Sequence, residues 1–188
     1  MNISKIIENI FFPRFCVGCN KEGSFLCEDC FFLIEAMEKT YCLCENPKTG
    51  VLKCKKCRLQ SLDALYFASP LKGVLAKDIF KKYTKEPFLK DLSYPLSGLV
   101  LRHFLSLKKA PETENFRIKH LPFKKKKVAG YDINKEIVKK IKEPLHCAKR
   151  SHNIIIFSLL YTSKMEKAAK KMKEKGYQKV IGVSVFRK

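Results

Sequence analysis

The chain has 188 residues, 46% of them apolar, enough for a real core in one ordinary domain beside a small one. Its 39 Lys and Arg against 18 Asp and Glu leave a formal charge of +21, which favours a polyanionic partner: nucleic acid, a phosphorylated ligand or an anionic membrane. No apolar run approaches the ~20 residues of a membrane span, and the opening Met1-Asn2-Ile3-Ser4-Lys5, followed by Glu8 and Pro13, is unlike a signal peptide, so the expected location is cytoplasmic.

Three segments follow: an N-terminal amphipathic helix (1–13), a cysteine-rich segment (14–60) and an α/β domain (61–188). In the first, Ile3, Ile6, Ile7, Ile10 and Phe11 share one helical face and Pro13 ends the helix. Lys5 is the only cation on its polar face, which favours packing on the next domain over a membrane surface.

Eight of the nine cysteines fall in the second segment, in two sets of four. The first is Cys16, Cys19, Cys27 and Cys30; the second is Cys42, Cys44, Cys54 and Cys57. A CxxC pair makes a tight knuckle, and two such pairs close a tetrahedral thiolate site around zinc. One or two structural Zn²⁺ sites are expected, with no coordination position left for a substrate. The alternative, a disulfide framework, needs an oxidising compartment that nothing in the chain supports. Cys42-Leu43-Cys44 is one residue shorter than the usual knuckle, which predicts a distorted, weaker or empty second site. Short hairpins should carry the knuckles, with a short helix or turn at Phe31–Met37 between them. Lys53, Lys55, Lys56 and Arg58 form a basic rim on the last knuckle, suited to phosphates or simply solvated.

In the third segment, residues 63–68 read as a strand, and a helix starting at Pro70 places Leu71, Leu75 and Ile79 on one face. A second helix spans about 88–107, kinked or divided at Tyr94-Pro95 and Gly98, with Leu96, Leu99, Val100 and Phe104 inward and His103 on its surface. Residues 116–121 alternate as a strand. Lys124, Lys125, Lys126 and Lys127 then form a cationic loop, solvated or holding an anion. Ile133, Ile137, Val138 and Ile141 define the inner face of a helix over 132–143. The neighbours His146 and Cys147 bring a Cys/His nucleophile to mind, but catalytic partners are seldom sequence neighbours, and a plain thiol is the simpler reading.

The C-terminal stretch is the most regular. Asn153–Leu160 is a buried strand, 164–175 a helix with Met165, Ala168, Ala169 and Met172 inward, Gly176 its C′ residue and Val180–Phe186 a second strand. Strand, helix and strand in this order form a βαβ unit and a parallel sheet. Ligands of such sheets sit beyond the carboxyl ends of the strands, here Leu159 to Ser163, at a helix N-terminus that favours anions.

This order of parts resembles the ComF family, in which a double zinc ribbon is fused to a type I phosphoribosyltransferase domain associated with DNA uptake in bacterial competence. The resemblance covers most of the chain. It rests on Asn9-Ile10-Phe11-Phe12-Pro13 leading into Cys16-Val17-Gly18-Cys19, on His120-Leu121-Pro122-Phe123 before a basic run and Gly130-Tyr131-Asp132, and on the closing unit that ends Val185-Phe186-Arg187. It implies an α/β fold: a small N-terminal double zinc ribbon, then a truncated phosphoribosyltransferase-like parallel-sheet domain.

The family's phosphoribosyl pyrophosphate loop carries two acids at a strand end, then Thr-Thr-Gly-Xaa-Thr. Ser158 and Leu159 stand in the acidic places; Tyr161, Thr162 and Ser163 follow; Lys164 replaces the glycine and Glu166 the last threonine. A side chain in place of the glycine obstructs close approach of phosphate to backbone. The family's Arg-Gly-Phe-Asn-Gln motif is reduced to Ala129-Gly130-Tyr131-Asp132-Ile133, and the stretch that usually carries the flexible active-site loop is much shorter. The resemblance therefore implies a scaffold without catalytic residues, one that binds single-stranded DNA, another polyanion or DNA-uptake proteins. Two alternatives stay open: an active transferase using Mg²⁺ and phosphoribosyl pyrophosphate, held by Thr162, Ser163 and the helix amides with Lys127 or Lys164 neutralising phosphate, and a zinc-dependent protein–protein adaptor.

Overall fold

The computed structural model describes residues 13–37, 61–86, 89–107, 115–123, 131–142 and 144–187. The N-terminal amphipathic segment, the second cysteine set with its basic rim, and Lys124–Lys127 lie outside the described residues.

Helix α1 (Glu28–Leu33) belongs to the cysteine-rich segment; Cys27 is its N-cap, and Glu28 and Asp29 sit in its first turn, where the helix dipole favours acids. The sheet domain then runs β1 (Ala64–Pro70), α2 (Val74–Lys85), a 3₁₀ turn (Leu89–Leu92), α3 (Ser93–Ser106), β2 (Phe116–His120), α4 (Ile133–Lys142), β3 (Asn153–Leu160), α5 (Ser163–Glu174) and β4 (Lys179–Arg187). The four strands form one sheet in the order β1-β4-β3-β2, and every pairing is parallel.

Period-two alternation of side chains sends each strand's residues to two cores. Tyr66, Ile155, Phe157, Leu159, Val183 and Val185 face the side that contains α2, α3 and α4. Leu65, Phe67, Ile154, Ile156 and Val180 face Met165, Ala169 and Met172 of α5. The inward residues of α3 and α4 expected from periodicity are all buried. On α5, Met165, Ala169 and Met172 are buried, and Ala168 packs at the margin. The end of α5 is a Schellman motif: Tyr177 N–H donates to Met172 O (3.1 Å), Gly176 N–H donates to Lys173 O (2.9 Å), and Gly176 takes φ +85°.

Three expectations need correction. Pro70 ends β1 rather than starting a helix: it pairs with Arg187, and α2 begins at Val74 behind the N-cap Gly73. Among the described strands β1 lies at the edge of the sheet, where a residue without N–H is tolerated. Pro95 lies in the first turn of α3, where its missing N–H has no intrahelical partner to lose, and the α-helix runs unbroken from Ser93 to Ser106. His103 is not on the helix surface: it is 1% exposed, and its Nδ1–H donates to Met37 O at 2.6 Å.

That bond forms part of a clamp. Arg102 Nη2 donates to Ile34 O (2.7 Å), the Arg102 guanidinium lies over the Phe31 ring (5.1 Å), and Met37 N–H donates to Ala68 O (3.0 Å). The strand-like stretch after α1 is thereby strapped to α3 and β1. Cys16, Leu26, Cys30 and Ile34 accordingly belong to the same core as Tyr66, Ile79 and Leu96.

Candidate metal centre

Cys16, Cys19, Cys27 and Cys30 converge although they come from a turn and a helix start. Phe15 and Glu22 form an antiparallel bridge, and Cys16 N–H donates to Lys21 O (2.9 Å), which folds the first knuckle back on itself. The four sulfur atoms all lie within 4.8 Å of one another. Cys16 Sγ and Cys19 Sγ stand 3.6 Å and 3.5 Å from Cys27 Sγ. A disulfide requires about 2.05 Å, whereas four thiolates around zinc at about 2.3 Å stand about 3.8 Å apart. The donor set and its spacing fit a tetrahedral metal ion and are compatible with zinc.

The surrounding amides fit the same role. Gly18 N–H and Cys27 N–H each point at Cys16 Sγ (3.4 Å), and Cys30 N–H points at Cys27 Sγ (3.5 Å). Burial pushes the Cys16 thiol up, but amide hydrogen bonds from Cys19, Cys27 and Gly18 outweigh it and bring it down to about 6. Burial and the neighbouring sulfurs push Cys30 the other way, well above its ordinary value. Each further thiolate repels the last, so the fully ionised set needs a cation among the sulfurs. A metal held by all four thiolates would supply folding energy and would leave no open position for chemistry.

Gly18 is required by packing. A Cβ there would lie 2.7 Å from Cys30 Sγ and 2.8 Å from Leu75 Cδ1 of α2. The first knuckle is pressed between its partner cysteine and the sheet domain.

Leu159 is fully buried on the α3–α4 side, and Ser158 is buried opposite Ser184 of β4. Tyr161 packs edge-on against Phe67 (5.9 Å), and the Arg187 guanidinium lies over the Phe67 ring (5.7 Å). Thr162 is the N-cap of α5 without a side-chain cap bond, and Thr162, Ser163 and Lys164 are exposed. Glu166 occupies the first turn of that helix. Of the residues named for nucleic-acid contact, Lys53, Lys55, Lys56, Arg58 and Lys124–Lys127 lie outside the described residues, as do Cys42, Cys44, Cys54 and Cys57. Cys147 is half-buried, and burial pushes its thiol up, the opposite of what an activated nucleophile needs.

Two features escape a reading of periodicity. Asn134, 1% exposed on α4, has its Nδ2 donating to Leu121 O and its Oδ1 accepting from Leu159 N–H, both at 2.7 Å. It ties the carboxyl ends of β2 and β3 together; its place on the inner face between Ile133 and Ile137 was the available signal. The second is a cleft of about 600 Å³ between the cysteine-rich segment and the start of α3. Among the described residues, no helix is long and apolar enough to cross a membrane.

No protein-family model, curated protein or solved structure matches the chain.

Proposed function

We propose that this is a zinc-binding ComF-like protein whose phosphoribosyltransferase-like sheet has lost the transferase reaction, and that it acts in DNA uptake by binding single-stranded DNA or partner proteins. The observation that carries this reading is the end of β3. Two carboxylates are needed there to hold ribose hydroxyls; Ser158 and Leu159 offer none, and Leu159 is committed to the core. Lost groups of this kind commonly cost factors of ~10² or more each in rate. Glu166, in the turn where phosphate would sit, adds repulsion. The parallel order with β4 between β1 and β3, the four gathered thiols and the +21 charge support the remaining parts of the proposal.

Two titrations of the zinc-loaded protein test it. Calorimetry with phosphoribosyl pyrophosphate and Mg²⁺ is expected to give no binding heat. Fluorescence anisotropy with a labelled single strand is expected to give nanomolar-to-micromolar affinity that falls steeply with salt, because bound cations are released from the strand. Micromolar binding of the pyrophosphate refutes the loss of the transferase site. Absence of strand binding at low salt refutes the DNA reading.

A further inference from the structure

The sheet face that carries α5 has a cationic border. Arg117 and Lys119 of β2 are in register with Ile154 and Ile156 of β3, and residues paired in parallel strands point to the same side. Ile154 and Ile156 lie in the core under α5. Arg117 and Lys119 therefore stand on that face as well, and both are exposed. Among the described strands β2 is at the edge of the sheet, so its part of the face is a shelf beside α5.

Helix α5 forms the wall of this shelf. Met165, Ala169 and Met172 are its buried side. At about 3.6 residues per turn, Glu166 and Lys173 fall on one flank of that side, and Lys171 and Lys175 fall on the other. Lys173 Nζ meets Asp63 Oδ2 (2.7 Å) just before β1, so the first flank faces β1. The flank with Lys171 and Lys175, both exposed, faces β2. A loop borders the amino end of β2. Ala148 N–H donates to Phe116 O (3.0 Å) and Ser151 Oγ donates to Asn115 O (2.6 Å), which holds Lys149 and Arg150 beside that end, both exposed. Gln178 N–H donates to His152 O (2.8 Å), which sets the end of α5 at the same level.

Six cations thus border one trough: Lys149 and Arg150 at its end, Arg117 and Lys119 on its floor, Lys171 and Lys175 on its wall. None of them has an ion-pair partner among the described residues. The two carboxylates of α5 fall elsewhere on the helix, Glu166 on the β1 flank and Glu174 on the outer side. A trough lined by one sign of charge focuses its field on an anion. Its floor lies beneath a helix about 10–12 Å across, so a flat anionic bilayer meets the outer lysines of α5 and stops short of Arg117 and Lys119. A flexible chain of phosphates can follow the floor and meet both rows.

We infer that the trough between α5 and β2 is a track for the phosphate backbone of a nucleic-acid strand. This rests on the nucleic-acid reading proposed above and adds to it the place and mode of contact. Cations on phosphates position a strand without reading its bases, so the contact is indifferent to sequence.

The test measures binding of labelled oligothymidine to the zinc-loaded full chain and three double variants, by fluorescence anisotropy over a salt series. The first variant carries Arg117→Gln with Lys119→Gln, and the second Lys171→Gln with Lys175→Gln. The control carries Lys77→Gln with Lys81→Gln on α2, which packs on the other face of the sheet. All six positions are exposed, so the fold is expected to survive, and each variant loses the same two charges. Each trough pair is expected to lower the slope of log affinity against log salt by about 0.7 per side chain, and affinity at about 0.1 M salt about fivefold per side chain. The control pair should leave the slope unchanged. An abasic strand of the same length should bind the parent within about twofold of oligothymidine, because no base is read. If the control pair costs as much as the trough pairs, the attraction is that of net charge; the trough inference fails and the nucleic-acid reading stands. An abasic strand bound about tenfold more weakly also defeats the track, since bases then carry the contact. Strand binding unchanged in the trough pairs, with binding to phosphatidylserine vesicles lost instead, assigns the trough to a membrane surface. If the parent binds no strand at low salt, both readings fail.

Discussion

Asn134 offers a sharp test of how the carboxyl ends of β2 and β3 are held. Its side chain donates to Leu121 O and accepts from Leu159 N–H, both at 2.7 Å. Asn134→Ala removes both partners at once. Leu159 is fully buried, so its amide is left without water or protein, whereas Leu121 is half-buried and its carbonyl is partly rehydrated. A buried group left unsatisfied costs about 1–3 kcal/mol, so the two together give a loss of about 2–4 kcal/mol. At about 2–4 °C per kcal/mol for a chain of this size, Tm should fall by about 5–15 °C. Asn134→Asp keeps an acceptor for Leu159 but sets a carboxylate oxygen against the Leu121 carbonyl, so it should be no better tolerated at neutral pH. Urea unfolding of the three proteins measures the loss directly. An Asn134→Ala variant within about 0.5 kcal/mol of the parent, the range of an unremarkable surface change, would refute the bridging role.

Other consequences are equally open to measurement. Gly18→Ala forces a Cβ against Cys30 Sγ and Leu75, and overpacking of this kind costs about 1–3 kcal/mol; zinc affinity measured against a colorimetric chelator should drop at least about fivefold, and an unchanged affinity would count against the geometry of the knuckle. Stripping metal with a strong chelator should lower Tm and expose thiols of the first set to a thiol reagent, since Cys16 and Cys30 sit in the common core; a melting curve indifferent to chelator would contradict this. Burial holds His103 below its ordinary pKa, although the Met37 carbonyl opposes the shift. The folded state therefore resists a proton that the unfolded chain accepts near pH 6.5, so this stabilisation is complete above that pH and is lost as pH falls through and below it. His120 shifts the same way and the thiolates also protonate on acidification, so the measurement is the difference between the parent and His103→Gln. Unfolding free energy of the parent should fall more steeply on acidification, by at most about 1.4 kcal/mol per pH unit, and equal slopes would exclude His103 as the cause.

The elements most legible in the sequence were those whose burial is one-sided and local. Ile133, Ile137, Val138 and Ile141 announce α4 because a single helical face is apolar, and Gly176 announces the end of α5 because only the left-handed conformation closes that motif. The gathering of the first four cysteines was legible for a similar reason: the CxxC spacing is local chemistry. His103 was not, because its burial depends on a carbonyl far away in sequence that only the folded chain brings to it. Pro70 misled because a helix start and the end of an edge strand tolerate the same residue. Asn134 was hidden among apolar neighbours, where pattern reading registers the face and passes over the polar atom that organises it. The cleft at the start of α3 lies between two segments that pattern reading treats as separate, so no single stretch of sequence reports it.

The strand order also fixes when the sheet can form. Ala64 of β1 pairs with Ile181 of β4, and β3 takes β4 as its other neighbour. Among the described strands, the latest in sequence is thus an inner one, and β1 has no strand partner among them until it arrives. While the chain is being synthesised, β2 and β3 can pair and α4 can cover them, but β1 must wait with Leu65 and Phe67 unprotected. Most of the sheet's long-range contact is made only once β4 is available, which makes folding slow by topology and gives the incomplete sheet a window for aggregation or chaperone capture. The straps from Arg102 and His103 to the cysteine-rich segment join only elements that precede β2, so that half of the molecule can dock before the sheet is complete.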